Sequence, residues 1–152
     1  MDIVVLSETK KKGHGSENLG QKSLRRCITS WEPVSPRLIK MNLSLHGKNI
    51  TIIGVYAVND DTLVKDKEEF FEQLSYEISK IGQSREIILT GDLNSRIGKK
   101  LHDKIVGQFR EATLNDNGNR LINICDQNNL RILNGFFQHR DISTPGYNIL
   151  EI

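Results

Sequence analysis

Ile87-Ile88-Leu89-Thr90-Gly91-Asp92-Leu93-Asn94 is the stretch on which the fold turns. An apolar run of strand type climbs to a glycine, then delivers an aspartate and, two residues on, an asparagine. In an extended chain residues i and i+2 point to the same face. Asp92 and Asn94 are therefore expected on one side of a strand end, with Leu93 on the other. A carboxylate beside a carboxamide at the mouth of a sheet can hold a metal-bound water or a phosphate oxygen.

Working outward, the segment before this strand carries the strongest helical pattern. Over residues 66–81, Phe70, Phe71, Leu74, Ile78 and Ile81 form an apolar stripe, with Lys67, Glu68, Glu72 and Lys80 outside it. That is core packing and not a cofactor box; Gly82 is expected to stop it. Upstream, Ile39, Met41, Leu43 and Leu45 alternate with Lys40, Asn42 and Ser44, the pattern of a half-buried strand. A turn at residues 46–49 leads to a second strand at 50–56, and the pair reads as an antiparallel hairpin. His46 reads as a turn residue. Tyr56 ends that strand before a polar loop, so Tyr56 and Asn59 can both face a site at the sheet edge; the plainer reading is a packed tyrosine and a turn asparagine.

Residues 3–6 form a short apolar run of buried-strand type, ending at Ser7-Glu8-Thr9. Glu8 thus falls at a strand end, where open α/β sheets place ligand groups; a solvated acid is the plainer alternative. The lysine and glycine loop at residues 10–15 and the basic stretch at 22–26 read as solvated loops able to touch phosphates. Trp31 is expected to be partly buried against the sheet. Beyond the central strand, residues 93–116 form a long polar loop, a length that is usually functional. Asn117-Gly118-Asn119 starts a helix with Leu121, Ile122, Ile124 and Cys125 on its buried face, followed by a strand at 130–134 and a turn at 144–147. The order of elements gives a mixed α+β layered domain.

Composition narrows the class. With 152 residues, 37% hydrophobic and 26% charged, the chain is long enough for one globular domain. A net charge of +2 does not announce nucleic acid by itself. Cys27 and Cys125 are far apart, which argues against a zinc site or a disulfide scaffold and suits a reducing compartment. No long apolar run marks a membrane span or a signal peptide. An intracellular protein is expected, nuclear if it acts on DNA.

Glu8, Tyr56, Asn59, Asp92 and Asn94 all fall at or just beyond strand ends. Their hard oxygen donors suit magnesium or manganese. Three segments in order, Leu6-Ser7-Glu8-Thr9-Lys10, Gly54-Val55-Tyr56-Ala57-Val58-Asn59 and Leu89-Thr90-Gly91-Asp92-Leu93-Asn94, resemble successive motifs of the endonuclease/exonuclease/phosphatase superfamily. The stretch from Asn117 through Phe137 resembles the next helix and strand of one branch, the apurinic-type endonucleases of non-LTR retrotransposons and their craniofacial development protein 2-like relatives. The resemblance implies a four-layer αββα sandwich of DNase I type and magnesium-dependent cleavage of DNA phosphodiesters. By position, Glu8 resembles the metal ligand and Asp92 the acid that activates water. Asn94 resembles the residue that holds the phosphate, and Tyr56 and Asn59 resemble the pair lining it.

The departures are specific. The family pattern has a further asparagine-bearing strand before Met1 and ends in a Ser-Asp-His motif; neither is present here, and His139 stands too early to replace it. Val58 stands where proline is usual. The expectation is a single, incomplete domain over residues 1–152 that lacks the first strand and the C-terminal strands, with activity weak or lost. Two alternatives accompany it: a non-catalytic remnant binding nucleic acid or protein, and a phosphatase or phosphodiesterase for phosphates other than nucleic acid.

Overall fold

The computed structural model describes residues 26–99, 103–109, 112–137 and 147–151. The strand expected at residues 3–6, Glu8, the lysine loop and His139 lie outside these residues. Three strands, β1 (Ile28–Ser35), β2 (Leu38–Leu45) and β3 (Lys48–Tyr56), form an antiparallel meander. The hairpin read from the alternation of β2 and β3 is present. Its loop is only His46 and Gly47, because Leu45 pairs with Lys48. His46 takes φ 49°, the left-handed backbone that a two-residue hairpin loop favours.

Helix α1 (Val64–Ser79) then carries the chain to β4 (Glu86–Asp92), which lies parallel to β3. Such a crossover is what parallel neighbours require. Its C-cap is Lys80, so the helix ends slightly before Gly82. Helix α2 (Asp116–Gln127) follows the long loop, and β5 (Tyr147–Glu151) pairs antiparallel with the other edge of β4. The sheet order is β1-β2-β3-β4-β5.

The main core joins one sheet face to both helices. Leu38, Ile53, Val55 and Leu89 meet Phe70, Phe71, Leu74 and Ile78 from α1 and Leu121, Ile124 and Cys125 from α2. Each such side chain removed from water contributes about 1.5–3 kcal/mol. Burial pushes the Cys125 thiol up to about 12, so it remains a protonated core residue. A smaller cluster, Leu43, Ile50 and Ile52 with Met41 and Ile88, lies on the opposite face. The sheet is therefore apolar on both sides, as a layered α+β architecture demands.

Four expectations need correction. Trp31 is 64% exposed rather than partly buried. It sits on β1, a strand with no sequence signature of its own, at the sheet edge where Pro33 is tolerated. Ile39 was expected on the buried face of β2 but is 44% exposed. The supposedly solvent-facing Lys40 instead lies against α1, where its ammonium meets Glu77 and Glu32, each at 2.9 Å. Burial works to lower the Lys40 pKa, but the hydrogen bonds and attraction from Glu77 and Glu32 outweigh it and hold the ammonium above its usual value. Finally, no strand forms at 130–134. Leu130 and Ile132 alternate inward, yet their N–H groups donate to Cys125 and Ile105 carbonyls, and a 3-10 turn (Leu133–Gly135) follows.

Candidate active site

The site forms where β3 and β4 end side by side. Gly91 makes this approach possible: it takes φ 131°, and a Cβ there would run into the Val55 carbonyl oxygen. The next pair in the parallel register is Tyr56 with Asp92, and the Ala57 N–H donates to the Asp92 carbonyl at 2.8 Å. Register partners project their side chains to the same face. Tyr56 is 40% exposed and Asp92 is half-buried. The Arg37 guanidinium donates to the Tyr56 and Ala57 carbonyls at 3.3 and 3.4 Å and lies 5.6 Å from the Tyr56 ring centre.

After Asp92 the strand stops. Leu93 turns fully into the core. Asn94 takes φ 45°, a left-handed conformation that asparagine tolerates better than most residues. Its N–H donates to Asp92 Oδ1 at 2.9 Å and its Nδ2 donates to the Ala57 carbonyl at 2.9 Å. Asp92 and Asn94 are thus together through a tight aspartate turn, not through continued strand alternation. Asn59 lies exposed in the adjoining loop, and its side chain hydrogen-bonds none of Tyr56, Asp92 or Asn94. Glu8 lies outside the described residues.

Sequence reasoning missed a second tier of asparagines. Asn117 is fully buried, and its Nδ2 donates to the Val58 carbonyl at 2.9 Å and the Asn94 carbonyl at 3.3 Å. Its own N–H donates to Asp60 Oδ1 at 3.0 Å. Asn115 caps α2 by accepting from the Gly118 N–H at 2.8 Å, while its Nδ2 donates to the Asn94 carbonyl at 3.2 Å. Gly118 is required here because a Cβ would strike the Arg96 carbonyl. The signal was the density of Asn115-Asp116-Asn117-Gly118-Asn119, more amides than a helix cap needs. At the rim, hydrogen bonds from Lys67 and then Arg120 hold the Asp116 carboxyl below its ordinary value. Lys67 also donates to the Asp60 carbonyl at 2.9 Å.

Among the described residues, no group of three or more His, Cys, Asp or Glu side chains can hold a metal ion. One carboxylate with neutral oxygens nearby nevertheless fits a hard cation such as magnesium, which keeps most of its waters and takes few protein ligands. Asp92 Oδ2 makes no hydrogen bond among the described residues, so a lone pair remains available there. A cleft of about 560 Å³ beside Arg37, Val58 and Phe70 is lined by neither Asp92 nor Asn94. No helix among the described residues is long and apolar enough to cross a membrane.

Comparison with known proteins defines the fold. Over 159 aligned residues the chain is 28% identical to Craniofacial development protein 2 of Bos taurus and to the same protein of Tragulus javanicus, with 91% of this chain matched. The match covers 27% and 28% of those proteins, so the chain spans about a quarter of the length of these curated relatives. Among solved structures, it superimposes on the 3′ phosphatase NExo from Neisseria, determined bound to a product DNA hairpin. The TM-score is 0.53 at 17% identity, covering 82% of this chain and 58% of that one. No family model matches the chain. The fold is of the endonuclease/exonuclease/phosphatase type, a DNase I-like α+β architecture, in agreement with the motifs read from the sequence.

Proposed function

We propose that this chain belongs to a divalent-metal-dependent nuclease that hydrolyses DNA phosphodiesters, of the apurinic-type branch found in non-LTR retrotransposons. The observation that carries the reading is the direct pairing of Tyr56 with Asp92, with the Asn94 N–H fixed on the Asp92 carboxylate. The Neisseria 3′ phosphatase, of similar fold and solved with DNA, supports a nucleic-acid substrate. If it acts on DNA, its expected place is the nucleus.

The chain's residues divide the work as follows. Asp92 has one oxygen occupied by the Asn94 N–H; the other accepts a proton from the attacking water as its oxygen bonds to phosphorus and the bond to the leaving oxygen breaks. Asn94 uses one amide hydrogen on the Ala57 carbonyl and offers the second to a phosphate oxygen. The Tyr56 hydroxyl and the Asn59 amide are further neutral donors for the charge that builds on phosphate. Glu8, by position in its motif, would hold magnesium or manganese, which leaves the free Asp92 oxygen to take the proton. When bound, that ion polarises the phosphate and offsets its charge.

Nicking of supercoiled plasmid with magnesium tests the assignment. The unsubstituted chain should nick, with chelation by EDTA abolishing it, and Asp92→Ala and Glu8→Ala should each lose about a hundredfold or more. Equal residual nicking by all three proteins overturns the roles. A second reading, a non-catalytic binding remnant, draws on the exposed edge strand β1 with Trp31 on it. Salt-sensitive retention of DNA without cleavage would favour it.

A further inference from the structure

We infer that Asn117, on α2 and outside the reacting groups, is a positioning residue that sets the geometry of the Asp92–Asn94 turn. A buried amide is costly unless its donors and acceptor are all paired. Asn117 is fully buried, yet its Oδ1 has no hydrogen-bond partner among the described residues. A leucine of similar size would avoid that penalty, so burial alone does not account for the residue.

What the amide supplies is a staple between two loops. Its Nδ2 reaches the Val58 carbonyl on the segment after β3 and the Asn94 carbonyl on the segment after β4. Asn94 is the strained joint of the site, in left-handed backbone at φ 45°. The Asn117 amide, together with Asn115 Nδ2 at 3.2 Å, holds the Asn94 carbonyl; this limits rotation about the residue and keeps its N–H on Asp92 Oδ1. Asn117 is itself located by the Asp60 carboxylate on its N–H and by the close seat of Gly118 on the Arg96 carbonyl. The staple thus orients the carboxylate through Asn94 without touching substrate.

The inference rests on the reading of Asp92 and Asn94 as the hydrolytic pair, so its test has an arm that needs no substrate. Amide hydrogen exchange is compared at Asn94 and at the core-strand residue Leu89. Asn117→Leu should speed exchange at Asn94 by roughly tenfold relative to Leu89. Ile124→Ala, a destabilising change on the same helix, should move both together. Asn117→Ser, which keeps a donor, should recover part of the protection, and it carries the comparison alone if Asn117→Leu does not fold. Parallel changes at Asn94 and Leu89 in the Asn117 variants, or none at Asn94, overturn the inference. In the nicking assay, Asn117→Leu should lower kcat by up to about a hundredfold, the order a displacement of about 1 Å can cause, with KM little changed. The same kcat loss in folded Ile124→Ala overturns the positioning role. A wild-type chain that never nicks DNA sinks the proposed function and leaves the exchange arm to decide this inference.

Discussion

Among the described residues, two of the inward-facing polar clusters are built from opposite chemistry. Against α1, Lys40 meets Glu77 and Glu32, and Glu77 also takes a hydrogen bond from Lys80 at 2.8 Å. At the ends of β3 and β4, the cross-links are the neutral amides of Asn94, Asn115 and Asn117 on main-chain carbonyls. The ionic cluster fastens a helix to a sheet. Charge attraction tolerates small errors in angle, so it is adequate for that task. The amide cluster fixes the direction of individual peptide groups, which attraction between charges cannot do. It also adds no net charge beside a site proposed to receive a phosphate. The nearby Lys67–Asp116 pair stands at the rim, with the Asp116 side chain 45% exposed.

The comparison can be broken at its rigid end first. Gly118→Ala should be the most damaging of the changes compared, at about 3 kcal/mol, because the added Cβ would meet the Arg96 carbonyl and, at 3.0 Å, Asn115 Oδ1. Denaturant midpoints measure this directly. A loss well under 1 kcal/mol would mean that the asparagine cluster yields, and is no rigid brace.

Next comes Glu77→Gln, expected to cost about 2 kcal/mol near neutral pH, since Glu77 is buried and holds charge-assisted bonds. The Lys80 hydrogen bond acts most strongly to lower the Glu77 pKa; burial opposes it and Lys40 adds to it, with a net value below 4.5. A carboxyl depressed in the folded state stabilises above its unfolded pKa and loses that contribution as pH falls through the folded value. Stability of the unsubstituted chain should therefore fall more steeply below pH 4.5 than that of Glu77→Gln, and the two curves should converge in acid. Asp116, lowered for the same kind of reason, leaves a residual acid slope in both proteins. Parallel curves would remove Glu77 from the account.

The same contrast explains what was legible in the sequence. The α1 stripe and the β2–β3 hairpin were readable because their periodicities are local and their partners are simply apolar. The closeness of Asp92 and Asn94 at a strand end was readable from the glycine and acid that follow the apolar run, but the turn that joins them was read as strand alternation. Trp31 and β1 were not, since an edge strand exposed over six of its eight residues leaves no alternation to detect. Ile39 and Lys40 lie on opposite faces as the alternation predicts, but the lysine face is covered as well, which becomes legible only when Glu77, 37 residues away, is placed over Lys40. The strand expected at 130–134 had the right inward residues, but its hydrogen-bonding partners lie in the long loop and at the end of α2. Asn117 read as a helix start and nothing more; its second role depends on carbonyls 23 and 59 residues away.

The smallest expected effect separates charge from burial. Lys48 and Glu86 join the starts of β3 and β4 with a 2.6 Å contact, shorter than any in the Glu77 cluster. Their side chains are 68% and 44% exposed, so water screens the attraction and ordering two long chains offsets much of it. Lys48→Ala should shift stability by less than about 0.5 kcal/mol, and added salt should change it little further. The variant is best measured beside Glu77→Gln under identical conditions. If the exposed pair costs as much as the buried one, then proximity of charges governs both, and exclusion of water has no part in the difference between the two ends of the sheet. A ratio of several-fold in favour of Glu77 places the stabilisation in the Lys40–Glu77 contact under α1, where the side chains are 11% and 7% exposed and water screens their attraction little.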